Sequence, residues 1–153
     1  ARPHQLAGMG GVALSQLAAA VTNAGGFGCM GSLMSATKLR EEIRALKRLT
    51  SGPWGVDILA GTPHLVESVK VIIEEGGKVF VTGRGTAPEI IDLAHDGGLK
   101  VGCVCGAIKH AVSVRPARIP RAGLGWGRRL TPRCARRCRG SLPRRPSRWA
   151  TTL

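Results

Sequence analysis

The chain has 153 residues with no tyrosine, and 23 Lys and Arg against 9 Asp and Glu give a formal net charge of +14. So basic a total points on its face to a nucleic-acid binder, yet the excess is local: Ala1–Val114 holds 11 basic and 9 acidic residues, while Arg115–Leu153 holds 12 arginines, no lysine and no acid. Apolar runs are interrupted within about ten residues, short of the roughly 20 that cross a bilayer, and Ala1–Val21 lacks the charged start and unbroken apolar block of a signal peptide, so neither a membrane span nor a leader is expected.

A first strand is expected near Gln5. Leu14, Leu17, Ala18 and Val21 then lie at helical spacing, and Asn23-Ala24-Gly25-Gly26 stops that helix. Phe27–Met30 reads as a short strand. Leu39, Ile43, Leu46 and Leu49 form one stripe of a second helix whose other face carries Arg40, Glu41, Arg44 and Lys47, and Ser51-Gly52-Pro53 ends it. Trp54–Leu59 is the next strand, followed through Thr62-Pro63 by a helical face of Leu65, Val69, Ile72 and Ile73. Val79–Thr82 leads to a helix around Glu89–His95, and Lys100–Cys105 is a strand leading to a segment that starts at Ala107.

Strand onsets near Gln5, Phe27, Trp54, Val79 and Lys100 recur every 21 to 27 residues or so, which implies right-handed βαβ units and a parallel sheet. Consecutive apolar residues within several strands fit a sheet covered on both faces. About five parallel strands with helices suit either an open doubly wound α/β sheet or the first part of a TIM-type (β/α)8 barrel. Residues 1–114 form that unit. Residues 115–153 combine 12 Arg with five Pro, and their few aliphatic residues follow neither period two nor period 3.6. Such a segment buries too little apolar area to offset its chain entropy, so it is expected to be a disordered tail.

Glycines gather where strands hand over to helices: Gly8, Gly10 and Gly11, then Gly31, then Gly83 and Gly85, then Gly106. In βα folds this edge receives ligands, because loop amides and helix N-termini point there. Glycine also simply permits tight turns, and neither Gly8-Met9-Gly10-Gly11 nor Gly83-Arg84-Gly85 has the full spacing of a dinucleotide or phosphate loop. Repetition on one edge is what favours a ligand face.

Five segments carry a resemblance: Leu6-Ala7-Gly8-Met9-Gly10-Gly11; Gln16-Leu17-Ala18-Ala19-Ala20-Val21-Thr22-Asn23-Ala24-Gly25-Gly26-Phe27-Gly28; Leu39-Arg40-Glu41-Glu42-Ile43-Arg44; Trp54-Gly55-Val56-Asp57-Ile58-Leu59; and Gly106-Ala107-Ile108-Lys109-His110-Ala111. In order and spacing they resemble the nitronate monooxygenase family, formerly called 2-nitropropane dioxygenases, over roughly residues 3–112, about the first half of a family member. The resemblance implies an eight-stranded α/β barrel that holds flavin mononucleotide (FMN) and oxidises alkyl nitronates with O2 to carbonyl compounds. Carried over by position, it implies that Ala7, Gly8 and Met9 meet the flavin. Asp57 falls where the family commonly has a flavin-contacting asparagine, so a carboxyl replaces a group that both donates and accepts hydrogen bonds. Flavin-dependent enoyl-acyl-carrier-protein reductases share much of this N-terminal pattern and are the alternative.

The family continues into an Ala-Gln-Gly, Gly-Gly-His region that supplies the catalytic base, and then into a glycine-rich phosphate loop. None of these motifs occurs here, so no residue of this chain is put forward as catalytic, and the chain is expected to be truncated and inactive alone. The abrupt turn to Arg, Pro, Gly, Trp and Cys after Ala111-Val112 is the composition expected of a reading frame shifted near Ser113 in GC-rich DNA.

The remaining candidates read as structural. His4, His64, His95 and His110 are expected at the surface. Five irregularly spaced cysteines fit a reducing, cytoplasmic setting better than a disulfide framework. Cys29 is expected in the core, as are Cys103 and Cys105, read as pointing to opposite faces of their strand. Cys134 and Cys138 lack a second ligand pair, so no metal site is expected. The arginine-rich tail would attract phosphates without sequence preference, and only Trp126 and Trp149 could stack on bases. A nucleic-acid binder acting through this basic tail is the further alternative, less expected than a small-molecule nitronate and O2 as partners.

Overall fold

The computed structural model describes residues 4–83, 88–105 and 121–124. In chain order these form α1 (Ser15–Asn23), β1 (Gly28–Ser32), α2 (Ala36–Leu49), β2 (Trp54–Leu59), α3 (Leu65–Glu74), β3 (Val79–Gly83), α4 (Pro88–Asp96), β4 (Lys100–Cys105) and β5 (Arg121–Leu124). Every neighbouring pair of strands is parallel, and the spatial order β1-β2-β3-β4-β5 is the chain order. A doubly wound sheet reverses its strand order at a switch point. No reversal occurs among these strands, which decides between the two architectures in favour of part of a (β/α)8 barrel.

The register explains where the core lies. Met30 pairs with Val56, Val56 with Phe80, and Phe80 with Val101, so one cross-strand row of large apolar side chains runs across four strands. All four are at most 2% exposed, packed in one cluster with Leu39, Ile43 and Leu46 of α2 and Val69 and Ile72 of α3. The helices therefore cover this face of the sheet. Val56 and Val101 suit a pleated buried row, while the spacing of Leu39, Ile43 and Leu46 keeps them on one side of a helix.

α1 follows a different rule from the leucine stripe expected of it. Its buried residues are Ser15, Ala18, Ala19 and Thr22, whereas Leu17 is exposed. The cause is a close approach: a Cβ on Gly28 would lie 2.3 Å from the Ala18 carbonyl oxygen and 2.4 Å from Thr22 Oγ1. Only small residues fit between α1 and β1, and the Gly28 N–H donates to Thr22 Oγ1 at 3.0 Å. The start of α1 is held from α2, where Glu42 Oε2 accepts from the Ser15 N–H at 3.2 Å, a carboxylate near the positive end of the helix dipole. Leu49 of α2, expected in that helix's stripe, is likewise exposed, because it lies in the last turn.

Towards the end of α3 that leads into β3, Glu75 gathers Arg40, Arg44 and Lys47 of α2, with contacts of 3.3, 3.0 and 3.2 Å, and Arg40 also pairs with Glu74. Burial alone would raise the Glu75 carboxyl, but the hydrogen bonds and charges of Lys47 and Arg44 outweigh it and hold the group below its ordinary value.

Two expectations change. The segment around Gln5 makes only isolated parallel bridges, Gln5 to Phe27 and Gly10 to Gly31, rather than a continuous strand. The Leu6 N–H donates to the Phe27 carbonyl at 3.0 Å and the Phe27 N–H to the His4 carbonyl at 2.8 Å, and the ladder then lapses through Ala7–Met9. At the other end Arg121–Leu124, inside the segment read as a disordered tail, pairs with β4 as a fifth strand. The remainder of 115–153 lies outside the described residues. No helix among the described residues is long and apolar enough to cross a membrane.

Candidate functional site

The carboxyl ends of the strands and the segment 6–11 lie together on one edge. Gly31 of β1 is the platform: a Cβ there would sit 2.5 Å from both the Met9 backbone N and C and 2.8 Å from the Gly10 N. The backbone of residues 9–10 thus lies directly on the strand. Asp57 pairs in register with Gly31 on one side and Val81 on the other, so it occupies the same sheet face as Gly31, opposite the helices. Its side chain meets Gly8. A Cβ on Gly8 would lie 2.2 Å from Asp57 Cβ and 2.5 Å from Oδ2.

Of the four positions expected to meet a cofactor, the structure therefore brings Gly8 and Asp57 into contact and sets Met9 on Gly31, while Ala7 is exposed beside them. Met9 is 40% exposed, and Leu33, whose side chain lies against Gly10, is also exposed. Sequence reasoning treated Gly31 as a turn residue after a strand. It lies within β1, and its signal was the lack of any side chain in an otherwise buried strand.

Asp57 is half-buried, and no described residue donates a hydrogen bond or an ion pair to its carboxyl. Burial pushes the group up to about 6. Cys29, fully buried on the same face, is pushed up to about 12 by its burial and by the neighbouring Asp57 charge, partly opposed by Gln5. A half-buried carboxyl without a partner among the described residues, beside Gly8 and the exposed Ala7 and Met9, is the environment that a planar ring with its own donors and acceptors would complete. These residues fit a flavin.

Cys103 and Cys105 are core residues as expected, but they share a face. Residues two apart in a strand point the same way, and the Cys105 Sγ lies 3.6 Å from the Cys103 Sγ. Burial, reinforced by Cys105, pushes the Cys103 thiol up to about 12. Among the described residues no group of three His, Cys, Asp or Glu could hold a metal ion. His64 is exposed and pairs with Glu67 at 3.2 Å, His4 is exposed and His95 is half-buried. Gly85, Gly106, His110, Cys134, Cys138, Trp126 and Trp149 lie outside the described residues.

With this geometry in place, comparison with known proteins is decisive at the level of family. The model of the nitronate monooxygenase family matches residues 2–83, more than half of the chain. The chain belongs to the nitronate monooxygenase family. The matched residues include Ala7, Gly8, Met9, Gly31 and Asp57 and the first three named strands. A dehydrogenase of Mycobacterium tuberculosis, named for (3aS,4S,5R,7aS)-5-hydroxy-7a-methyl-1-oxo-octahydro-1H-indene-4-carboxyl-CoA, is 34% identical over 125 residues, 78% of this chain and 35% of its own length. A probable nitronate monooxygenase of Staphylococcus haemolyticus is 43% identical over 53 residues, 34% of this chain and 15% of its own length. Among solved structures, FabK from Thermotoga maritima superposes with a TM-score of 0.75 at 34% identity, covering 79% of this chain and 39% of that one. The chain spans at most about a third of the length of the curated relatives it matches.

Proposed function

We propose that this nitronate monooxygenase-family chain carries the first part of an FMN site and that the enzyme it represents oxidises alkyl nitronates with O2 to carbonyl compounds. The observation that carries the reading is the contact of Asp57 with Gly8 beside exposed Met9, at the strand edge where α/β barrels hold ligands. Bound flavin would supply the electron transfer. The chain's own residues would do three things: Ala7–Met9 offer a backbone surface to the ring, Gly31 lets that surface lie against the sheet, and Asp57 supplies a side-chain hydrogen bond.

Proton abstraction needs a base within hydrogen-bond reach of the substrate, and the Gly-Gly-His motif that would provide it does not occur in this sequence. Flavin binding is therefore expected of the purified chain, and nitronate oxidation is not. Quenching of flavin fluorescence on titration with the chain tests the first. Oxygen uptake on adding an alkyl nitronate to the flavin-loaded chain would overturn the second.

A second reading has its own support. A relative that matches 78% of the chain is named as a dehydrogenase of a carboxyl-CoA compound, a thioester, and the solved FabK of Thermotoga maritima is 34% identical over 79% of the chain. If that reading holds, an acyl thioester and not an alkyl nitronate protects the flavin-loaded chain against thermal unfolding.

A further inference from the structure

Asp57 is half-buried, yet it lacks the kind of partner that the described glutamates of α2 and α3 have. Glu74 and Glu75 sit among the cations of α2, and Glu67 pairs with His64, whereas Asp57 receives no cation and no hydrogen bond from the described residues. Resting on the flavin reading above, we propose that occupation of the edge over Ala7–Met9 is coupled to proton uptake by Asp57, so that the flavin meets a neutral carboxyl that donates a hydrogen bond instead of a carboxylate that can only accept.

The argument is one of solvation and space. Gly8 touches the Asp57 side chain so closely that a single added carbon would lie 2.2 Å from its Cβ. A ring laid over Gly8 consequently removes more of the water around a carboxyl that is already half-buried. Losing water disfavours the charged form, and no described residue offers the carboxylate a cation or a hydrogen bond in compensation. From β1 the titratable neighbour is the Cys29 thiol and from β4 the Cys103 thiol, both pushed up to about 12 and hence neutral. Val81 of β3 is the register neighbour and does not ionise, residues 5–11 include no ionisable side chain, and His64 and Glu67 at the start of α3 answer each other. A cofactor phosphate brings further negative charge. Each contribution lifts the carboxyl above the value of about 6 that it holds without ligand.

The sign follows from linkage. If binding raises the affinity of Asp57 for a proton, protons equally favour binding, and affinity falls as pH rises above the value in the free chain, by up to about tenfold per pH unit. The proton comes from solvent and is retained at Asp57 Oδ.

Riboflavin is the probe that isolates this effect, because it lacks the phosphate whose own ionisation falls in the same range. The full chain is titrated with riboflavin between about pH 6 and about pH 8, and heats are compared in buffers of different ionisation enthalpy. The expected result is a loss of affinity of roughly 10- to 50-fold across that range, net uptake of most of a proton within it, and abolition of both by Asp57→Asn. Proton uptake by the wild-type chain is itself decisive should Asp57→Asn fail to fold. Binding of riboflavin and FMN with no pH dependence, or a dependence that survives in Asp57→Asn, overturns the coupling and leaves the flavin reading intact. Binding of neither flavin at any pH overturns both.

Discussion

The two faces of the sheet use alternate residues of the same strands for different ends. On the helix-covered face Met30, Val56, Phe80 and Val101 make a continuous buried row. One position further along each strand, Gly31, Asp57, Val81 and Gly102 make a row of small side chains interrupted by one carboxyl. Volume on the first face fixes the helices. Lack of volume on the second admits the backbone of Ala7–Gly10 beside a half-buried carboxyl to which no described residue donates. A residue of the first row should therefore be replaceable only at a cost in stability, and one of the second chiefly at a cost in binding.

The largest effect that would break this contrast is in the apolar row. Phe80→Ala is expected to destabilise the chain by about 3–5 kcal/mol, read as a shift in the urea midpoint. A much smaller loss would mean that the row is not the centre of the core. Gly31→Ala comes next: its Cβ has no room beside the Met9 backbone, so overpacking costs about 1–3 kcal/mol, and displacement of residues 9–10 should weaken flavin binding beyond what that loss explains. Unchanged flavin titrations in a folded Gly31→Ala chain would remove the platform from the site.

Asp57 sharpens the comparison through pH. Its ordinary value of 3.8 rises to about 6 on folding, so the folded chain holds a proton that the unfolded one has released. The contribution of this group to stability is accordingly greatest below about pH 4 and declines as pH rises to about 6. Asp57→Asn should flatten that decline and leave the folded chain more stable at neutral pH, as thermal melts across the window would register. Glu75 runs the other way. With its carboxyl held below the ordinary value, its stabilising contribution is present above the usual carboxylate range and fades on acidification. Glu75→Gln is expected to cost about 1 kcal/mol or less, because its partners Arg44 and Lys47 are well exposed to water. A cost near that of Phe80→Ala would give the α2–α3 ion pairs a weight that the contrast between the faces denies them.

Elements with strong periodicity were legible in the sequence. The stripe Leu39, Ile43 and Leu46 and the apolar runs at Trp54–Leu59 and Val79–Gly83 fall where their spacing puts them, because burial on one side of a helix or on both faces of a sheet writes a regular pattern. α1 was placed correctly but turned about its axis, since its contact with β1 is set by the absence of side-chain volume at Gly28, Ala18 and Ala19, and hydrophobicity does not record that. The strand near Gln5 was overread for a related reason: alternating residues cannot show that pairing lapses through the Ala7–Met9 stretch. At the site, Ala7, Gly8, Met9 and Asp57 came from a family resemblance. The contact of Gly8 with Asp57 joins residues 49 positions apart in the chain, and no local pattern encodes it. The shared face of Cys103 and Cys105 followed from strand geometry alone and was misassigned.

The strand order bears on how the molecule comes into being. Because each of the five described strands pairs with the one made just before it, none of the pairings among them waits for a strand that arrives later. A ribosome delivering β2 finds β1 already available, and α2 between them can close over the new pair before β3 emerges. Assembly can proceed as ordered growth from one margin, with Phe80 sealing a layer begun by Met30 and Val56, so that every pause in translation leaves a structure that is a shorter version of the same thing.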